Sequence, residues 1–312
     1  MIGKEIDTRL VYGFLDAGKT TFIRDCIQND YFYQYGTTLI LCFEEGEETY
    51  DPDILSERRT TVACYDRSEA VHAFCMKHIE DSHPDRIYVE MNTMMEGLRG
   101  TLPDCMKVSY ACTWIDWETF GTYFVHFTPM FREMVADSNQ VTFRGCPSKE
   151  LLHPYAQAFR LMNRKATYLR QDPMGYHEKA FDLFLPFSLE DHEIDINEAR
   201  YLVFWLDAHD HPTHYEGKRI RFTDALEIRQ ADSGDTCFAG RVVMTCCMAD
   251  LQFMSFDLEV TGDMPCGGWC MMDAQAVIAM DAYGQKRLKL KAVSMHAAPP
   301  PGDLLLRALP QW

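Results

Sequence analysis

The sequence predicts a mostly parallel α/β unit followed by a small antiparallel β-barrel. Three observations carry this. Buried-strand and helix patterns alternate through the first half, period-2 strand patterns fill the last third, and a stretch of turn formers and acids separates the two. Strands interleaved with helices make right-handed βαβ crossovers and therefore a parallel sheet. Short alternating strands bounded by Gly and Asp make a small antiparallel barrel or a sandwich.

Arg9-Leu-Val-Tyr12 reads as a short buried strand, and Phe22, Ile23, Cys26 and Ile27 then recur at helical spacing. Thr37–Phe43 and Thr61–Tyr65 read as the second and third strands, and Ser68–Ile79 has helical periodicity. Arg86–Glu90 and Val108–Trp114 supply the fourth and fifth strands. Between Asp172 and Asn197 lie Pro173, Gly175, Pro186 and the acidic run Glu190-Asp-His-Glu193, which places a boundary near residue 185. The expected units are residues 1–185 and 186–312. In the second, a helix from Tyr201 precedes strands at Arg219–Phe222, Phe238–Met244, Met254–Val260, Trp269–Met280 and Arg287–Val293.

The 312 residues carry 47 acidic against 30 basic side chains, a formal net charge of -17. Such a surface repels a phosphate backbone, which argues against nucleic acid as a partner. A nucleotide is still accommodated, because local backbone N–H groups can hold it. The longest apolar run, Tyr201–Leu206, stops at Asp207, far short of the roughly 18 residues that span a bilayer. Met1–Arg9 has no apolar stretch of signal-peptide type, so the expected location is the cytoplasm, with the 12 cysteines as thiols.

Gly13-Phe-Leu-Asp16-Ala17-Gly18-Lys19-Thr20 matches the G-x-x-x-x-G-K-[ST] pattern in full, between a strand and a helix. The loop wraps so that successive N–H groups, Thr21 included, face a β-phosphate, and the helix start adds its positive end. Lys19 places a point charge on the phosphates, and the Thr20 hydroxyl is the expected Mg²⁺ ligand. A Mg²⁺-side carboxylate belongs at the end of a neighbouring buried strand, where Glu90 stands. Glu44, Glu47 and Asp51 follow the second strand at the same carboxyl edge, where ligand sites of parallel sheets collect. They are the candidates for a catalytic or metal-water carboxylate, with three solvated loop acids as the alternative.

Residues 5–175 resemble the CobW-like branch of the G3E GTPases, a group of metal-insertion GTPases and metallochaperones. Gly13–Phe22 is similar to their G-F-L-G-A-G-K-T-T-L, and Phe43–Asp51 to their N-E-F-G-E-x-x-I-D, with Glu44, Gly46, Glu47 and Asp51 in common. Tyr88–Thr93 sits where they carry E-T-S-G, Ala136-Asp137 resembles the pair before their base-recognition loop, and Leu161–Ala166 their L-N-P-x-A stretch. The resemblance implies a triphosphate site, Mg²⁺ and a metal cargo. Their guanine-reading N-K-x-D has no counterpart, since the chain reads Thr142-Phe-Arg-Gly-Cys146 there, so the base stays open between GTP and ATP. Their G-C-x-C-C motif is reduced to Cys64, and Met94-Met95 replaces the glycine that senses the γ-phosphate.

Val242–Asp250 resembles the C-C-x-A-D motif in the soluble C-terminal domain of YcgQ-like bacterial proteins, with Tyr215–Lys218 and Gly240-Arg241 matching further segments. The resemblance covers about residues 195–300 and implies an OB-like barrel. Cys246 and Cys247, with Cys266 or Cys270, form a candidate thiolate set for Zn²⁺ or Cu(I), buried barrel thiols being the alternative. Asp207-Ala-His209-Asp-His211-Pro-Thr-His214 is a second candidate, as a transient metal-acceptor loop or a solvated connection. Two functions stay open from the sequence. One is a nucleotide-dependent metal chaperone or assembly factor with slow hydrolysis. The other is a non-hydrolysing nucleotide-binding scaffold whose barrel binds a partner protein.

Overall fold

A computed structural model describes residues 5–29, 36–44, 46, 48–182, 184–231, 236–245, 250–260 and 267–309. The described chain divides into two compact units. One comprises residues up to His153 together with Lys165–Phe181, and the other comprises Pro154–Arg164 and the residues from Asp182 onward. One helical segment, within residues 154–164, belongs to the second unit although it precedes the expected boundary.

In the first unit the elements run β1 (Ile6–Tyr12), α1 (Lys19–Gln28), β2 (Thr38–Cys42), α2 (Pro52–Glu57), β3 (Thr60–Cys64), α3 (Val71–Ser82), β4 (Arg86–Glu90), β5 (Met106–Asp116), α4 (Trp117–Ala136) and β6 (Gln140–Arg144). The hairpin of β7 (Thr167–Gln171) and β8 (His177–Lys179) completes it. The strand order is β3-β2-β4-β1-β5-β6-β7-β8. All neighbouring pairs are parallel except β7 and β8. This is the mostly parallel sheet with helices that the sequence predicts. β2 and β4 are buried at every position, as expected of strands covered on both faces. α4 was not legible as an element in the strand–helix alternation. Its Phe120, Phe124 and Phe131 face the core, and the helix kinks at Phe127, two residues before Pro129.

The second unit contains α5 (Ala156–Met162), β9 (Glu193–Ile196), α6 (Glu198–Asp210), β10 (Arg219–Gln230), β11 (Cys237–Met244), β12 (Leu251–Glu259), β13 (Gly268–Met280), β14 (Lys286–Ala297) and β15 (Leu305–Arg307). Five strands close into a ring in the order β10-β11-β12-β14-β13-β10. The ring is antiparallel except for β12 and β14, which run parallel. It is a small barrel of OB-like strand order, and the one parallel pair departs from the purely antiparallel expectation. Its core joins Ile220, Phe222, Val243, Phe256, Met272 and Leu290 to Tyr201 and Phe204 of α6. Tyr201 and Trp205 tie α6 to β12 by donating to the carbonyls of Met254 and Ser255. Cys237 is disulfide-bonded, which corrects the all-thiol expectation, whereas eight other described cysteines are in the thiol form.

Candidate functional site

The loop between β1 and α1 is shaped by two glycines. A Cβ at Gly13, whose φ is +151°, would lie 2.6 Å from the Trp114 carbonyl oxygen, so β5 approaches too closely for any side chain. Gly18, at φ +99°, is the left-handed residue from which α1 starts, and a Cβ there would lie 3.0 Å from Arg144 Cδ. Asp16 also takes positive φ, at 60°, and Ala17 is buried. The loop is bridged to two neighbouring strand ends. Thr93 Oγ1, beyond β4, donates to the Gly13 carbonyl, and an Arg144 guanidinium N–H, at the end of β6, donates to the Asp16 carbonyl.

Lys19 lies at the first turn of α1 and is 3% exposed. Its Nζ donates to the carbonyls of Gly13 at 3.0 Å and Phe14 at 2.9 Å, and to Glu44 Oε2 at 2.5 Å. An ammonium has three N–H groups, so all of them are taken. Glu44, at the end of β2, is the one acidic member of this set.

Thr20 and Glu90 form a second pair. Thr20 Oγ1 donates to Glu90 Oε1 at 2.7 Å, with both residues buried. The other carboxylate oxygen accepts from the Tyr50 hydroxyl at 3.0 Å and the Cys42 thiol at 3.7 Å. Burial, reinforced by the Glu90 charge, pushes both the Cys42 thiol and the Tyr50 phenol well above their ordinary ranges, so both stay protonated donors. Thr20 and Glu90 present hard oxygens to one cavity, the donor type that suits Mg²⁺ held together with phosphates.

That cavity encloses about 170 Å³ and is lined by Asp16, Gly18, Lys19, Thr20, Thr21, Glu44, Glu48, Glu90 and Arg144, among others. Asp51 is not among them. It caps α2, accepting from the Asp53 N–H, and is exposed. Glu47 lies outside the described residues. Arg144, Glu48 and Tyr50 were missed in the sequence. The signal for Arg144 was its place at the carboxyl end of a parallel strand, which required β6 to be identified first.

A family model described as the DUF1980 C-terminal domain matches residues 176–298. No curated protein matches the chain. Among solved structures, hydrogenase maturation factor HypB from Archaeoglobus fulgidus is 13% identical with a TM-score of 0.35, over 54% of this chain and 82% of that one. Zn(II)-bound YjiA GTPase from E. coli is 14% identical with a TM-score of 0.36, over 76% and 86%. HypB from Helicobacter pylori in complex with nickel is 8% identical with a TM-score of 0.35, over 53% and 78%.

In the second unit, Cys246, Cys247 and Cys266 lie outside the described residues. Cys270 is buried in the barrel core, where burial raises its thiol. The histidine-rich segment is not a loop: it runs from the last turn of α6 into a 3-10 turn at Pro212–Tyr215, and it is engaged in packing. His209 lies on Trp205 with ring centroids 3.9 Å apart, and its Nδ1 meets the Trp205 carbonyl at 2.8 Å. Burial lowers its pKa to about 4. The buried Asp207 takes the Tyr215 hydroxyl at 2.7 Å and His214 Nδ1 at 3.0 Å. Asp210 pairs with Arg160 and Arg164. Among the described residues, no group of three or more His, Cys, Asp or Glu side chains is placed to hold a metal ion. No helix among them is long and apolar enough to cross a membrane.

Proposed function

We propose that the first unit binds a nucleoside triphosphate with Mg²⁺ at residues 13–21, and that the protein works as a nucleotide-dependent metal chaperone or assembly factor. The observation that carries the nucleotide half is the cavity joining Lys19 to the Thr20–Glu90 pair beside the Gly13–Gly18 loop. Phosphates would take the place of Glu44 on Lys19, and Thr20 with Glu90 would hold Mg²⁺. Glu44 and Tyr50 bracket the segment 44–50, and both bond to groups that the bound nucleotide would claim. Occupancy would therefore move Glu44 and Tyr50, as γ-phosphate contacts order switch segments elsewhere. The cargo half rests on the resemblance of Gly13–Phe22 and Phe43–Asp51 to the CobW-like GTPases. A partner protein or a metal would be taken by the barrel unit.

The test is calorimetry of Mg·GTP and Mg·ATP on protein of known metal content, with Lys19→Ala alongside. Binding lost in the variant supports the site, and unchanged affinity refutes it. A second reading, a scaffold without turnover, is favoured by Met94-Met95 where a γ-phosphate-sensing glycine would stand. A measured hydrolysis rate separates the two.

A further inference from the structure

We propose that Cys42 and Cys64 form a reversible thiol–disulfide pair in the wall of the cavity beside Glu90. The two residues are register partners at the carboxyl ends of the parallel strands β2 and β3. Register partners in a parallel pair project to the same face. Adjacent strands lie about 4.8 Å apart, inside the Cα range of roughly 4.4–6.8 Å that a disulfide bridges. Cys64 acts on Cys42 as a near neighbour that raises its thiol.

Access divides the pair. Cys64 is exposed and Cys42 is buried, and both line an opening of about 400 Å³ that also includes Tyr50, Leu55, Val62 and Glu90. The other neighbouring thiols of this unit are placed differently. Cys26 and Cys112 are both buried, and Cys75 is fully buried beside the half-buried Cys105. Cys42 and Cys64 thus join one solvent-facing sulfur to one sheltered sulfur, the arrangement of an attacking and a resolving cysteine.

The oxidant is a hydroperoxide, with hydrogen peroxide as the simplest. The Cys64 thiolate attacks one peroxide oxygen, the O–O bond breaks, and a first water leaves with Cys64 as the sulfenic acid. The Cys42 sulfur then attacks the Cys64 sulfur. The S–S bond forms, the S–O bond breaks, and the second water leaves carrying the Cys42 proton. The two sulfurs lose two electrons and the peroxide gains two. A dithiol reductant reverses the change by exchange. In the disulfide, Glu90 loses the Cys42 S–H donor that it accepts at 3.7 Å and retains Thr20 and Tyr50.

The experiment treats the full chain with hydrogen peroxide, blocks residual thiols, digests the protein and maps linked peptides by mass spectrometry. A Cys42–Cys64 linked pair that dithiothreitol resolves is the expected result. Alkylating Cys64 in the wild-type chain beforehand should abolish the link without any substitution. In Cys42→Ser, Cys64 should accumulate as a dimedone-trapped sulfenic acid. The proposal is overturned if Cys64 proceeds to the sulfinic acid while Cys42 remains a thiol, if Cys64 links to another cysteine, or if Cys64 resists oxidation. Nucleotide binding is not a readout here, so this result stands apart from the nucleotide reading.

Discussion

Replacing Glu44 with glutamine should tighten binding of Mg·GTP, Mg·ATP and tripolyphosphate. In the free protein Glu44 Oε2 sits 2.5 Å from Lys19 Nζ, with the two side chains 12% and 3% exposed. An arriving phosphate must break this contact, because the other two acceptors are backbone carbonyls of the loop itself. A hydrogen bond that involves a charged group contributes about 1.5–3 kcal/mol; the ammonium–carboxylate bond stands toward the upper end, and the bond from the same ammonium to a neutral amide toward the lower end. The substitution therefore lowers the cost of displacement by about 1 kcal/mol, which corresponds to roughly fivefold tighter binding. Removing a negative charge beside the triphosphate adds in the same direction. Calorimetry on both proteins at one salt concentration reads the ratio directly. Equal or weaker binding by Glu44→Gln would refute the reasoning, because it would mean that Glu44 serves the bound state and does not compete with phosphate.

Four further outcomes are expected. Gly13→Ala should destabilise the first unit by about 2 kcal/mol or more, since its Cβ would lie 2.6 Å from the Trp114 carbonyl oxygen at a φ of +151°, and an unchanged thermal midpoint would contradict this. Thr20→Ala should abolish the dependence of nucleotide affinity on Mg²⁺ while leaving Mg²⁺-free tripolyphosphate binding within about twofold, a 0.4 kcal/mol window read in the same titrations. Arg144→Ala removes the second cation of the cavity and a tie to the Asp16 carbonyl, and should weaken nucleotide binding several-fold, by about 1 kcal/mol. For His209, burial holds the folded pKa at about 4, below its unfolded value, so protons favour the unfolded chain. Its contribution is complete above about pH 6.5 and is lost as the pH falls toward 4, amounting to roughly 2–3 kcal/mol. Urea midpoints should fall over this window in the wild type and fall less in His209→Gln.

Much of the first unit was legible because its signals are local. A buried strand, a glycine loop and a helix lie consecutively in residues 6–28, and each leaves its own composition. Glu90 stands out in the sequence because it closes a buried strand, and the structure brings it to Thr20. The partners that complete the site were not legible. Tyr50 reaches Glu90 across 40 residues, Cys42 across 48, and Arg144 reaches Asp16 across 128. Such contacts are made by sheet order, which no local pattern encodes. Asp51 shows the converse, since an acid after a strand can as well cap the next helix. In the second unit the alternation located each barrel strand, but the pairing of β12 with β14 skips β13 and has no local signature. The dense set of histidines was compositionally suited to metal, yet the fold uses His209 for stacking and His214 to satisfy a buried aspartate.

The parallel pairing of β12 and β14 also sets an order of events during folding. Before β14 is in place, β10, β11 and β12 can form a meander, and β13 can add to β10, but nothing joins β12 to β13. The unfinished sheet then presents two long open edges, each able to recruit a strand from another molecule. β14 covers both at once, since it contacts β12 on one side and β13 on the other. During synthesis the barrel would therefore remain open until residues 286–297 have left the ribosome, and its vulnerability to misassembly would end in a single late step.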